Sequence, residues 1–144
     1  MSFVKVWIHA VWAVKNRKPI LNQDIREIVF EHIHKNALEK EIFMDTVGGH
    51  HNHVHCLFRL KNSQSIDHIM QLIKGESSFW FNKSELSGLK LNWQKEYFAV
   101  SVSESNVVNV RNYILNQEEH HKKKTWEDEY NEFITKYGFH ICNG

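Results

Sequence analysis

Residues 42–60, IFMDTVGGHHNHVHCLFRL, decide the fold, because they predict two β-strands joined by a tight turn. Residues 42–47 and 54–60 are rich in β-branched and other apolar side chains, which is typical of strands. Gly48-Gly49 lies between them, and glycine readily adopts the positive φ angles that a short hairpin connection needs. The stretch therefore predicts a β-hairpin whose second strand begins at a cluster of histidines.

Strand and helix patterns alternate on both sides of this hairpin. Residues 3–14 predict a long strand, and residues 23–40 carry apolar side chains at helical spacing. A second helix is expected after Ser65, a good N-cap residue, and residues 97–102 predict a fourth strand. The order β-α-β-β-α-β predicts the α+β class, with a ferredoxin-like (RRM-like) antiparallel sheet and both crossover helices on one face. We expect the other face of the sheet to be open for function.

Two additional C-terminal helices are predicted after the sheet. The first runs from about residue 105 to residue 121. The second begins at Thr125, whose hydroxyl can form a capping box with Asp128, and ends at Gly138. The first of these helices carries two further candidate functional residues, Tyr113 and Gln117.

The composition is that of one globular domain over residues 1–144. The chain is 42% hydrophobic and 24% charged, with 18 basic against 17 acidic residues and a formal net charge of +1. This balance excludes a global basic field, so local groups must hold any anionic partner. The 11 histidines are the one compositional excess.

The sequence predicts a cytoplasmic protein. Cys56 and Cys142 are the two cysteines and no signal peptide is evident, so we expect reduced thiols and no disulfide. No apolar run approaches the roughly 20 residues of a membrane helix, so we expect no membrane partner.

His53 and His55 form a His-x-His pair on the second strand of the hairpin. Side chains two apart on a strand point to one face, roughly 6.5 Å apart along the backbone, so both imidazoles can bind one metal ion. Val54 and Cys56 should face the other side. Surface histidines on half-exposed strands have the same spacing, so the pair alone leaves a metal site as a hypothesis.

Tyr113 and Gln117 are four residues apart, and this places them on one face of the first C-terminal helix, about 6 Å from each other. A phenol can act as a covalent nucleophile beside a cation, and an amide oxygen is a suitable ligand for Mg²⁺ or Mn²⁺. A tyrosine near Val110 and Ile114 is also typical of simple packing. The spacing alone does not identify a nucleophile.

Four motifs occur in order along the chain: HNHVHCL, IKGESS, YFAVSVSES and VRNYILNQEEHHKKKTWEDEYNEF. Together they closely resemble the single-tyrosine HUH transposases of small bacterial insertion sequences, including REP-associated tyrosine transposases. HUH stands for His-hydrophobic-His. The resemblance spans nearly the whole chain, from VKNRKPIL after the first strand to the final YGF.

The resemblance implies a metal-dependent transposase that cuts and rejoins single-stranded DNA through a 5′-phosphotyrosine intermediate, without ATP. In that family pattern Tyr113 matches the nucleophile, and His53, His55 and Gln117 match the ligands of Mg²⁺ or Mn²⁺. One position departs from the pattern: Asn52 stands where the family often has an acidic residue before the first motif histidine. This change could alter the orientation of that histidine but leaves the ligands in place.

The resemblance also implies partners. The expected substrate is single-stranded DNA with hairpin ends, and the expected assembly is a homodimer in which the tyrosine helix of one subunit can complete the site of the other. Residues 101–106, before that helix, look mobile enough to allow such an exchange. The alternative is a domesticated or inactive relative that acts as a hairpin DNA- or RNA-binding protein.

Local basic side chains are the candidates for contact with DNA phosphates. They are Lys15, Arg17, Lys18, Lys74, Lys122, Lys123 and Lys124. The last three also fit a solvated helix C-terminus. Four tryptophans either stack on unpaired bases or belong to the core, and the sequence does not decide between these roles. They are Trp7, Trp12, Trp80 and Trp93.

Parts of the sequence also suggest three other functions, and none of them predicts a covalent protein–DNA adduct. A structural zinc site would draw on the histidines of residues 50–55 with Cys56 and either His120 or Cys142, but the chain has no Cys-x-x-Cys pair. An RNA-binding module of the RRM type would need aromatic residues on the central strands. An HNH endonuclease, suggested by His51-Asn52-His53, would need a ββα-metal context that the downstream strand does not supply.

Overall fold

The computed structural model describes residues 1–138, and a four-stranded antiparallel sheet lies at its centre. The spatial strand order is β2-β3-β1-β4, and every neighbouring pair is antiparallel. The strands are β1 (Val6–Ala13), β2 (Phe43–Gly49), β3 (His53–Leu60) and β4 (Phe98–Val102). The helices are α1 (Gln23–Glu39), α2 (Ile66–Ser84), α3 (Val107–Leu115), α4 (Gln117–His120) and α5 (Trp126–Tyr137). The predicted α+β class and β-α-β-β-α-β order are confirmed.

Both faces of the sheet are covered, which corrects the expectation of an open face. Helices α1 and α2 pack on one face over alternate residues of β1 and β3, including Trp12, Val54 and Phe58. Helices α3 and α5 pack on the other face. The reason is that this second face also carries apolar side chains, which gain free energy by leaving water. They are Trp7, Val11, Ala13 and Leu57.

The glycine pair has a different role from the predicted one. Gly48 and Gly49 belong to β2 and pair with His55 and Val54 of β3, so the connection between the strands is residues 50–52. Of these two glycines, Gly49 has a positive φ, of 156°, and Gly48 does not. A Cβ atom on Gly48 would lie 2.6 Å from the carbonyl oxygen of Ile114, so Gly48 allows α3 to approach the sheet closely.

Gly48→Ala should therefore destabilise the protein. We expect the free energy of unfolding to fall by roughly 1–3 kcal/mol, the usual cost of overpacking, because α3 must move away from β2. Urea denaturation measures this loss. Gly75→Ala is the matched control, since a Cβ atom there meets nothing within 4 Å, and an equal loss in both variants would contradict the explanation.

The region after β4 differs from the prediction in one respect. The single helix expected over residues 105–121 is interrupted at Asn116, whose ψ of 23° separates α3 from the short α4. The last helix follows the prediction closely: the capping box of Thr125 and Asp128 is formed, and Gly138 adopts the left-handed conformation at its end. Within residues 1–138, no helix combines the length and the apolar character needed to cross a bilayer.

Candidate active site

The two motif histidines face the C-terminal helices from β3. His53 is opposite Ala13, and His55 is opposite Val11, so both side chains share the sheet face that α3 and α5 cover. Both are fully buried. Cys56 lies on the other face, in the core with α1 and α2, as the strand alternation predicts.

His53 is oriented by contacts at both sides of its ring. The Oδ1 atom of Asn52 lies 2.8 Å from Nδ1 of His53, and the Trp126 ring stacks on the imidazole at 4.3 Å. An amide oxygen accepts the Nδ1–H proton, so the electron pair of Nε2 points into the site. Burial, with the neighbouring His55, holds the pKa of His53 well below its usual range, so the ring is neutral. Asn52 thus does the orienting work expected of an acidic residue.

His55 is oriented by another histidine, His9 on β1. The Nε2 atom of His9 lies 2.9 Å from Nδ1 of His55, and burial lowers the pKa of His9 to about 3. A neutral His9 can accept the Nδ1–H proton of His55 and leave the electron pair of Nε2 free. That Nε2 atom is buried and has no hydrogen-bond partner. An imidazole nitrogen in this state is ready to bind a cation.

Gln117 reaches the same place from α4. Its Nε2 atom donates a hydrogen bond to the Tyr113 carbonyl at 3.3 Å, which turns the amide oxygen toward the histidines. Oε1 lies 3.1 Å from Nε2 of His53 and 3.1 Å from Nε2 of His121. The amide oxygen therefore faces the free electron pair of His53, as two ligands of one cation would.

Glu129 on α5 is the site residue that sequence reasoning missed. It is 1% exposed, its Oε1 lies 3.0 Å from Nε2 of His55, and its Oε2 lies 2.7 Å from Nε2 of His121. Burial alone would raise the pKa of Glu129, but the hydrogen bond from His121 and the close imidazole of His55 bring it well below its usual range. The available signal was a carboxylate on the apolar stripe of α5, between Trp126 and Phe133.

Tyr113 projects from α3 toward this cluster. Its hydroxyl donates a hydrogen bond to Oε1 of Glu129, and its ring centre is 5.5 Å from that of His55. Burial and the Glu129 charge raise the pKa of Tyr113 well above its usual range, so the phenol keeps its proton. The side chain also lines a cavity between α3 and α5 that includes Asn109 and Lys136.

Helix α3 is fixed against the sheet by polar contacts. Arg111 donates two hydrogen bonds to Asp45 on β2, at 2.8 and 3.0 Å, in the bidentate geometry that orders a guanidinium. Before the helix, residues 104–106 form a short 3₁₀ turn in which Glu104 accepts hydrogen bonds from Lys5 and Trp7. These contacts hold the tyrosine helix beside the histidines of its own chain.

The donor set fits a divalent cation. The ligand atoms of His53, His55 and Glu129 all lie within 4.8 Å of one another, and Gln117 adds an amide oxygen. Imidazole nitrogen is a common ligand of divalent transition metals, and carboxylate and amide oxygens are common ligands of Mg²⁺ and Mn²⁺. A thiolate zinc site gets no support from the described residues, because burial raises the pKa of Cys56 far above its usual range; Cys142 lies outside them.

Six of the seven basic candidates lie in two short segments at the edge of this site, around Arg17 and around Lys124. Arg17 and Lys124 line one cavity with His121, and Arg17 contacts Glu127 at 2.8 Å. Lys15 and Lys18 are exposed beside Arg17, and Lys122 and Lys123 are exposed beside Lys124. Lys122 and Lys124 also form ion pairs, with Glu119 and Glu132.

Lys74 is separated from this group. It lies on α2, on the face of the sheet away from the histidines, and donates hydrogen bonds to the carbonyls of Gln94 and Lys95 at 2.7 and 2.9 Å. Among the tryptophans, Trp7 and Trp12 are buried in the two cores and cannot stack on bases. Trp80 stacks on His32 and is half-buried, and Trp93 is also half-buried.

Comparison with known proteins gives both a family and a fold. Residues 2–117 match the family model described as "Transposase IS200 like". A solved structure of a candidate transposase from Deinococcus radiodurans R1 is 20% identical, with a TM-score of 0.64 over 81% of this chain and 93% of that one. A solved structure of a REP-associated tyrosine transposase bound to a REP hairpin is 16% identical. Its TM-score is 0.62, over 84% of this chain and 72% of that one. A search of curated proteins gave no significant match.

The family match covers most of the chain and contains the principal candidates from the sequence. His53, His55, Tyr113 and Gln117 all lie within residues 2–117, whereas α5 lies beyond them. The two solved structures share the fold of this chain. The resemblance to the single-tyrosine HUH transposases is confirmed, and this chain belongs to the IS200-like transposase family.

Proposed function

We propose that this transposase cuts and rejoins single-stranded DNA through a covalent bond between Tyr113 and a 5′ phosphate. The observation that carries the proposal is the convergence of the Tyr113 hydroxyl, two buried histidines and the Gln117 amide within one chain. The phenol oxygen forms a bond to phosphorus, the bond from phosphorus to the 3′ oxygen breaks, and the phenol proton ends on the 3′ hydroxyl. Since the ester bond is exchanged and not hydrolysed, rejoining needs no ATP.

Each residue has a defined task in this reaction. His53, His55 and Gln117 would hold Mg²⁺ or Mn²⁺, which supplies positive charge that stabilises the negative charge developing on the phosphate. Imidazole and amide ligands add no negative charge of their own to that ion. Asn52 and His9 orient the two imidazoles. Packing of α3 on the sheet positions the phenol, and proximity of this kind accelerates a reaction strongly.

The proposed substrate is single-stranded DNA with hairpin ends, in keeping with the REP hairpin held by the structurally similar REP-associated transposase. We assign phosphate contacts to Arg17 and Lys124, and the support is that they line one cavity with His121. Lys15, Lys18, Lys122 and Lys123 extend this basic edge. Lys74 already donates to two carbonyls, so we assign it no phosphate contact.

We further propose that each active site is built within one chain, whether or not the protein is a homodimer. Mixing Tyr113→Phe subunits with His53→Ala/His55→Ala subunits should then give no adduct, because neither chain holds a complete site. The measurement is a denaturing gel of the mixture after incubation with labelled DNA. Restored adduct would instead demonstrate a dimer whose tyrosine acts on the site of its partner.

The function is tested by incubating the protein with a labelled single-stranded oligonucleotide that carries its flanking genomic hairpins, with Mg²⁺ or Mn²⁺. A covalent adduct on a denaturing gel, lost when EDTA is added, would support the proposal. Tight hairpin binding without any adduct would favour the alternative, a domesticated or inactive relative that only binds DNA or RNA.

A further inference from the structure

Glu129 lies beside the three proposed metal ligands, His53, His55 and Gln117, none of which is a carboxylate. Its Oε1 atom lies 3.0 Å from Nε2 of His55, and its Oε2 atom lies 3.5 Å from Nε2 of His53. We propose that Glu129 is a fourth ligand of the metal and the only anionic one among the described residues. This inference rests on the proposed metal-dependent function and adds to it a residue from α5.

The chemistry of the cluster favours a cation between these atoms. The Glu129 carboxylate is buried, and it faces Nε2 of His55 at 3.0 Å and Nε2 of His53 at 3.5 Å. Nε2 of His55 has no hydrogen-bond partner although the carboxylate is close to it. Electron-pair donors that face one another in a buried site are stabilised by a shared cation. Carboxylate oxygen is the ligand that Mg²⁺ and Mn²⁺ prefer.

Helix α5 holds the Glu129 carboxylate beside the histidines. Its N-terminus is fixed by the capping box of Thr125, and on the same helical face Trp126 stacks on His53 and Phe133 packs against β1. Glu129 lies between these two aromatic residues, one turn from each. The family match ends at residue 117, and the family resemblance stated for this sequence assigns Glu129 no role. Docking of α5 and metal binding should therefore be coupled.

The test is direct measurement of Mn²⁺ affinity in the absence of DNA. Metal-free protein is titrated with Mn²⁺, and free Mn²⁺ is followed by its electron paramagnetic resonance signal. Glu129→Gln keeps the shape of the side chain and removes its charge, and we expect Mn²⁺ binding to weaken at least ~10-fold, as loss of a metal-site partner typically does. Unchanged or tighter binding would overturn the proposal, and tighter binding would mean that the carboxylate competes with the metal.

Glu132→Gln is the matched control, because it removes the same charge one turn away on the exposed side of α5. Mn²⁺ affinity should change less than ~2-fold in this variant. An equal loss of affinity in both variants would mean that Glu129 acts only through its negative charge and is not a ligand. If Glu129→Gln does not fold, Glu129→Asp replaces it. The shorter side chain withdraws the carboxylate, so weaker binding is expected, and wild-type affinity would overturn the proposal.

Failure of this inference can be told apart from failure of the proposed function. If His53→Ala/His55→Ala abolishes Mn²⁺ binding and Glu129→Gln leaves it intact, the metal site stands and Glu129 is not a ligand. If Glu129→Gln weakens binding but the wild-type protein forms no DNA adduct, Glu129 is a ligand and the proposed reaction is wrong.

Discussion

Tyr113→Phe should abolish the covalent protein–DNA adduct and leave hairpin binding within about 2-fold of wild type. The substitution removes a single oxygen atom, the one proposed to attack phosphorus, and no other described side chain supplies a hydroxyl at that position beside His55. The ring that packs between α3 and the sheet is retained. The fold and the basic edge are therefore preserved, while the chemical step is lost.

The measurement combines a denaturing gel for adduct with a native gel for binding. Tyr97→Phe is the control, because the Tyr97 hydroxyl contacts Asp67 near α2, away from the candidate site, and this variant should form adduct at the wild-type rate. Adduct formation by Tyr113→Phe would show that another residue is the nucleophile.

The double variant His53→Ala/His55→Ala should lose both metal binding and the DNA-cleavage reaction. The metal is expected to supply several kcal/mol of stabilisation to the transition state, so its loss should reduce the rate of adduct formation by at least about 100-fold. Mn²⁺ binding should disappear in the same variant. Rate and metal affinity are measured separately, by quenched time courses and by titration.

His68→Ala provides the comparison for that double variant. His68 is exposed on α2, on the far side of the sheet, so its loss should change neither Mn²⁺ binding nor the rate. Full activity of the His53→Ala/His55→Ala protein in the presence of EDTA would contradict a metal-dependent reaction.

The parts of the fold that the sequence predicts are those governed by local rules. Strand alternation places His53 and His55 on one face and Cys56 on the other, because the side-chain period of a strand is two wherever it occurs. The capping box of Thr125 and Asp128 is likewise formed by residues three apart. Such features need no knowledge of distant contacts.

The rest depends on packing between distant segments. Glu129 meets His55 across 74 positions of the chain, and His9 meets His55 across 46, so no spacing rule reports either contact. Gly48 looked like a turn residue, yet its role is set by the approach of Ile114. The covered second face has the same origin, since only the packed structure shows which apolar strand residues α3 and α5 bury.

The most direct test of the central claim is to identify the amino acid that carries the DNA. Adduct formed with Mg²⁺ or Mn²⁺ is digested with nuclease and protease, and the peptide that retains a nucleotide is sequenced by tandem mass spectrometry. We predict a single modified peptide, with a 5′-linked phosphate on the oxygen of Tyr113. A nucleotide on any other residue, or a cleaved DNA strand without a linked peptide, would contradict the account.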